Sequence, residues 1–187
     1  MKDNIMTKRL KIDENISLRQ IELTDATDIF NIINSQREYL GKWLPFVEYT
    51  QKVKDSEKFI QSVMNAPEEQ FEYIFTIRYQ GKFAGITGFR DSDKLNKKTE
   101  IGYWLSEDLQ KKGIITKSVK RLCEFAFTDL GMNRIQIKCA VENTASKGIP
   151  KRLGFKHEGV ERDGEKLTGG YFTDLDVFSL LKSEFKF

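Results

Sequence analysis

Ile101-Gly-Tyr-Trp-Leu-Ser-Glu-Asp-Leu-Gln-Lys-Lys-Gly-Ile-Ile-Thr116 changes its period halfway along. Ile101, Tyr103 and Leu105 alternate with Gly102, Trp104 and Ser106, as side chains of a strand do. After Gly113 the apolar positions Ile115, Val119, Leu122 and Ala126 recur with the period of a helix. A strand that turns into a helix over a glycine turns several unpaired backbone N–H groups toward one point. With the positive end of the helix dipole they form an anion cradle. Lys111 and Lys112 add charge to it, and a phosphate or pyrophosphate suits it.

Around this segment the chain reads as one α/β domain spanning 1–187, with residues 1–15 an N-terminal extension that has room for an added strand. Ser17–Ile21 is a first strand, and Thr24 is an N-cap for a helix carrying Ala26, Ile29, Phe30 and Ile33 to near Gln36. Leu40–Tyr49 has no clear period and gathers Trp43, Pro45, Phe46 and Tyr49, as a core excursion or the wall of a cleft. A second helix covers Val53–Met64, with Val53, Phe59, Ile60 and Val63 inward. Phe71–Tyr79 and Lys82–Arg90 flank Gln80-Gly81 as a hairpin. Asn133–Val141 alternates as a strand, and Asn143 to Ser146 cap a short helix ending at Gly154. Phe155–Val160 and Tyr171–Leu181 supply two more strands. The sheet is expected to be mixed and mostly antiparallel.

Composition removes several classes. Fourteen Phe in 187 residues, 39% of them hydrophobic, make a globular chain with a sizeable core. Thirty-one basic against 28 acidic residues leave a net charge of +3, which gives no support to nucleic-acid binding. Cys123 and Cys139 have neither metal-like spacing nor disulfide density, so buried free thiols are expected and no metal. The N-terminus lacks the apolar core of a signal peptide, and no apolar run reaches the ~20 residues of a membrane span. These features point to a cytoplasmic protein with no membrane association. A homo-oligomer stays open.

The order strand, Gln110-Lys-Lys-Gly113 loop, helix, strand, Asn143-Thr-Ala-Ser146, helix, Leu153-Gly-Phe155, strand resembles the GNAT superfamily of acetyl-CoA-dependent N-acetyltransferases. Trp43-Leu-Pro45, Glu100-Ile-Gly-Tyr-Trp-Leu105 and Asp176-Val-Phe-Ser179 are most similar to its RimJ/RimL-like, ribosomal-protein N-terminal acetyltransferase branch. The match runs from about Ile16 to Phe185. The resemblance implies a sheet splayed at the Ile101–Leu105 strand with acetyl-CoA wedged in the opening. The pantetheine would pair with Tyr103, Trp104 and Leu105. The pyrophosphate would lie on Gln110, Lys111, Lys112, Gly113, Ile114, Ile115 and Thr116, with Asn143 and Ser146 near the sulfur. Ile115 stands where the family often has Gly or Ala, so the backbone roles carry over there and the side chain is expected to pack inward. Gly148 and Pro150 break the helix pattern, and a delayed helix onset with Pro150 in the first turn is expected.

Acetyl transfer from a thioester to an amine needs a neutral amine, a stabilised oxyanion and a proton for the departing thiolate. An α-amine, with a pKa near ~7.7–8.0, is partly neutral without help. Glu165, before the last strand, is the candidate base that the resemblance to the RimL branch implies. Glu100 is the alternative, because other branches place a base on that strand. A backbone amide near Tyr103 or Trp104 would hold the oxyanion. Many family members use a last-strand tyrosine as acid, and here Phe178 takes that place. Ser146 is then the candidate donor, with Tyr103 and Tyr171 behind it. His157 is expected to be structural. Cys139 has no neighbouring histidine in sequence and is not expected to be a nucleophile. Trp43, Phe46 and Arg90 are expected on the acceptor cleft, between Trp43–Tyr49, Tyr79–Arg90 and Glu161–Tyr171. The resemblance implies a primary-amine acceptor, first of all a protein N-terminus and specifically a ribosomal protein's. A polyamine, an amino acid or an aminoglycoside is the alternative acceptor, and a silent CoA-binding module is the rival from another class.

Overall fold

The computed structural model describes residues 8–67 and 72–186. Among them an eight-stranded sheet has the order β1-β2-β3-β4-β5-β6-β8-β7. Its strands are β1 (Arg9–Lys11), β2 (Ile16–Gln20), β3 (Ile74–Tyr79), β4 (Lys82–Asp93), β5 (Lys98–Leu105), β6 (Arg134–Ala140), β7 (Lys156–Lys166) and β8 (Phe172–Leu181). The helices are α1 (Ala26–Ser35), α2 (Arg37–Gly41), α3 (Phe46–Tyr49), α4 (Val53–Met64), α5 (Ile114–Thr128) and α6 (Thr144–Arg152). The strand β1 lies in the expected extension and pairs antiparallel with β2. The expected hairpin start at Phe71 and the extension's first seven residues lie outside the described residues.

Each face of the sheet has its own core. On one, Leu18, Phe75, Ile77, Ile101, Ile135, Ile137 and Phe178 pack with Val119, Leu122, Phe125 and Ala126 of α5. On the other, Ile86 and Trp104 pack with Ile29 and Ile33 of α1 and Ile60 of α4. Cys123 and Cys139 are free and buried, as expected. The β3–β4 turn falls at Gln80-Gly81, both with positive φ (50° and 78°), the conformation of a tight hairpin.

Four local expectations are corrected. Thr24 caps nothing: Leu23–Asp25 is a 3₁₀ turn, and Asp25 Oδ2 accepts from the Glu22 amide at 2.8 Å ahead of α1. Asp25, 1% exposed, also binds the guanidinium groups of Arg19 and Arg78. Leu40–Tyr49 is not irregular, because α2 and α3 occupy its two ends; helices of one turn are too short to display a period. Phe59 points outward at 41% exposure, while Ile60 takes the buried position on α4. Finally, α6 starts directly at Thr144 with Pro150 inside it, so its onset is not delayed.

The strand pairing opens a gap. β5 and β6 run parallel but pair only over Lys98–Glu100 with Arg134–Gln136. Beyond that point β6 continues along β8 alone, and Ile101–Leu105 lose their partner on that side. The splay expected at this strand is therefore present, and its closed end lies at Glu100.

Candidate active site

The alternation of a β-ladder decides which backbone groups face the gap. The Lys97 carbonyl accepts from the amides of Asn133 (2.7 Å) and Arg134 (3.1 Å), which sets Lys97 toward β6. Two-residue alternation then turns the amides of Ile101, Tyr103 and Leu105 into the gap. The Phe89 amide donates to the Tyr73 carbonyl at 3.0 Å, so Phe89 faces β3 and its neighbours Gly88 and Arg90 face β5. Glu100, Gly102 and Trp104 answer them from the other side. Trp104 accordingly has no amide free for an oxyanion, and the Tyr103 amide is the one turned to the gap.

The mouth of the gap is the loop before α5. Lys111 (φ 61°) and Gly113 (φ 72°) are both left-handed, and Gly113 is the N-cap of α5. Left-handed residues alternating along a turn gather consecutive amides into a concave anion nest. The amides of the first α5 turn, which have no partner within the helix, add to it. Ile114 is buried and Ile115 packs against the core, so the loop meets a ligand with backbone and not with these side chains. Lys112 is turned away, its Nζ 5.6 Å from the Tyr79 ring centroid. Across the opening Arg152 donates from Nε and Nη2 to Thr116 Oγ1, both at 3.3 Å, and ties α6 to α5.

A cavity of about 530 Å³ occupies the gap and its mouth. Trp43, Tyr103, Trp104, Leu105, Gln110, Lys111, Gly113, Ile114, Ile115, Thr116, Asn143 and Ser146 of the expected set line it together. Sequence reading missed Tyr39, Ile149 and Arg152 on its wall. Ser146, Ile149 and Arg152 recur at every third position of α6, so the stripe was there to be found. Tyr39 reaches Gln110 by a hydrogen bond between its hydroxyl and the Gln110 amide, a pairing of residues remote in sequence.

Asn143 caps α6 by accepting from the Ser146 amide at 3.1 Å. The Ser146 carbonyl, which the residue at position 150 serves in an ordinary helix, gets no N–H from Pro150. The Tyr103 hydroxyl donates to it instead at 3.1 Å and lies 3.2 Å from Ser146 Oγ. Burial pushes the Tyr103 phenol well above its usual pKa, so it stays protonated. Burial likewise pushes the neighbouring Cys139 thiol up to about 11, which leaves no thiolate to act as a nucleophile at neutral pH.

A second cluster lies at the closed end of the gap, on the Trp104 face of the sheet. Glu100, 4% exposed, accepts from Arg90 Nε at 2.6 Å and from Gln136 Nε2 at 3.3 Å. Burial works against the Arg90 charge, but Glu100 more than offsets it and raises the Arg90 pKa. Glu165 stands before the last strand, as expected, within β7 and opposite Thr173. It is half-buried, and its pKa is raised by that burial; Arg90 lowers it and Glu100 raises it again. Of the two candidate bases, then, Glu100 is tied into an ion pair and Glu165 is not.

Three expected residues stand apart from both clusters. Phe46 is 40% exposed on α3 and does not line the cavity. Phe178 is buried in the core opposite Ile137. His157, on β7, binds Asp176 Oδ1 through Nε2 at 2.7 Å, the structural use expected of it.

A parallel pair splayed over an anion nest, with a capped serine at its wall, is the architecture of an acyl-CoA-dependent transferase. The chain belongs to the GNAT acetyltransferase family: the family described as "Acetyltransferase (GNAT) domain" matches residues 15–156. It is 34% identical over 180 residues to the Bacillus subtilis (strain 168) protein named "Putative ribosomal N-acetyltransferase YdaF", covering 94% of this chain and 96% of that one. It is 28% identical to the ribosomal-protein-serine acetyltransferase of Escherichia coli (strain K12), covering 93% and 97%. Among solved structures, the microcin C7 self immunity acetyltransferase MccE, in complex with acetyl-CoA and AMP, superposes with a TM-score of 0.86 at 31% identity, covering 92% and 95%. The protein is thus an N-acetyltransferase with acetyl-CoA as cosubstrate. None of the helices in the described residues is long and apolar enough to cross a membrane.

Proposed function

We propose that the protein transfers acetyl from acetyl-CoA to the N-terminal α-amine of a ribosomal protein, in the cytoplasm, by direct attack within a ternary complex. The observation that carries the mechanism is the contrast between Glu100, locked to Arg90, and Glu165, half-buried with a raised pKa and no such lock. A carboxylate whose pKa moves toward neutrality is a better general base for an ammonium group near pH 7. Glu165 takes the proton from the acceptor amine, directly or through a water. The Tyr103 amide receives the developing oxyanion, and the Ser146 hydroxyl, backed by Tyr103, donates to the departing thiolate. The nest at Lys111–Thr116 holds the pyrophosphate, with Arg152 beside it. The names of the relatives support a ribosomal-protein acceptor. Similarity to the spermidine N(1)-acetyltransferase of Escherichia coli (strain K12), 26% identical over 147 residues, supports a second reading, a small-molecule amine.

Thiol release from acetyl-CoA, measured against peptides copying bacterial ribosomal-protein N-termini, polyamines and aminoglycosides, tests the proposal. Release with the peptides, and mass spectrometry placing the acetyl group on the α-amine, is the expected result. Release with only the small amines would overturn the protein acceptor. Release that is unaffected by Glu165→Gln would overturn the base.

A further inference from the structure

Three cross-strand pairs of β4 and β5 follow one another along the Trp104 face of the sheet: Arg90 with Glu100, Gly88 with Gly102, and Ile86 with Trp104. The two glycines have different reasons to be there. A Cβ on Gly88 would meet Ile74 Cδ1 and the Tyr73 carbonyl oxygen, both at 2.7 Å, so β3 forces that residue to be glycine. A Cβ on Gly102 would meet nothing within 4 Å, and its φ is not left-handed. Neither packing nor backbone conformation requires glycine at position 102. A glycine inside a strand weakens it relative to alanine, and where neither a bulge nor a bend calls for it, close approach of a ligand or another backbone is the remaining use.

The surroundings say which ligand. Gly102 is the first residue on this face beyond Glu100 and Gln136, the last pair before β5 and β6 part. It is flanked by the Arg90–Glu100 ion pair on one side and Trp104 on the other, and Glu165 interacts electrostatically with both members of that ion pair. On the acetyl-transfer reading, an amine held by Glu165 beside the Arg90–Glu100 pair and directed at a thioester beside Tyr103 carries its attached carbon along the face of β5 on which Gly102 lies between Glu100 and Trp104. The amine-bearing carbon of a peptide N-terminus is branched, with a side chain and a carbonyl. That of a polyamine or a lysine side chain is a plain methylene.

We propose that Gly102 is a specificity-determining residue whose bare backbone makes the floor for the branched α-carbon of the acceptor, so that α-amines are admitted over it. The inference rests on the acetyl-transfer reading above and extends it to acceptor choice. Filling the floor penalises the branched acceptor first, since one misplaced methyl-sized group changes discrimination by about 10–200-fold.

The test compares wild type with Gly102→Ala and Gly102→Val on a serine-initiated peptide and on an unbranched primary amine, with acetyl-CoA affinity and thermal stability measured alongside. The expected result is a loss in kcat/KM for the peptide of roughly tenfold with alanine and more with valine, at unchanged acetyl-CoA affinity and undiminished Tm. The unbranched amine loses much less, so the ratio of the two activities shifts. Equal losses for both acceptors, or no loss for either, would overturn the floor. Wild type that binds acetyl-CoA yet acetylates neither acceptor would instead sink the transfer reading, and the two failures are therefore distinct.

Discussion

The Tyr103 hydroxyl donates to the Ser146 carbonyl, 3.1 Å away, across the gap between β5 and α6. Pro150 makes that bond necessary, because it removes the N–H that closes the helical turn on Ser146. One tyrosine thus completes α6, fixes the serine at the cavity wall and keeps a hydroxyl 3.2 Å from Ser146 Oγ. Tyr103→Phe is predicted to cost about 1–3 kcal/mol, the range for a stranded polar group. Pro150→Ala returns an N–H to the turn, so Tyr103→Phe should cost about 1 kcal/mol less in that background, as a double-mutant cycle on urea denaturation would measure. Equal costs in both backgrounds would show that the bond does not stand in for the missing turn.

In the proposed mechanism Glu165 sets the pH dependence of the reaction. Its folded pKa is raised, so the acid limb of kcat/KM should lie above the ordinary glutamate value of about 4.3, with activity falling as pH drops through it. Glu165→Gln should lower kcat by about 10²–10⁴-fold and remove that limb. Stability should move the other way. A raised carboxyl pKa favours the folded state only below the unfolded value, and that contribution is lost as pH rises through the folded one. The glutamine variant should therefore be at least as stable as wild type at neutral pH. A variant that is both inactive and unstable at pH 7 would point to a structural role.

What could be read from the sequence was local. The change of period around Gly113 and the Asn143 cap each depend on residues close in the chain, and both stand where they were expected. Pro150 was misread because its missing bond is supplied by Tyr103, more than forty positions away, as no helix rule records. The Arg90–Glu100 pair was hidden for a similar reason: both residues were visible as candidates, but only the β4–β5 register sets them opposite one another. The apolar stripe of α4 includes both Phe59 and Ile60, but adjacent residues on a helix point about 100° apart, and the buried position goes to Ile60 while Phe59 is exposed.

The nest before α5 can be tested at its glycine. Gly113 has φ 72°, and a Cβ there would meet nothing within 4 Å, so Gly113→Ala carries backbone strain without a clash. A non-glycine residue held left-handed costs about 1–2 kcal/mol, and the loop should relax away from the nest to relieve it. The expected outcome in calorimetry is weaker binding of CoA by about tenfold, with little change in binding of dephosphorylated pantetheine, which lacks the pyrophosphate. Equal weakening of both ligands would mean that the loop does not hold the pyrophosphate.

Asp25 offers a stability test remote from the cavity. Its carboxylate is 1% exposed, and two guanidinium groups, those of Arg19 and Arg78, converge on it. Asp25→Asn would keep the shape and remove the charge, leaving two partly buried cations short of their shared anion. Breaking a buried pair from one side costs about 3–5 kcal/mol, although Glu22 beside Arg19 and Asp28 beside Arg78 should hold the loss to the lower end. Urea denaturation should show that loss, while acetyl-CoA affinity below the transition stays as in wild type, since none of these residues lines the cavity. A fall in stability of less than about 1 kcal/mol would place this network among the weak surface pairs.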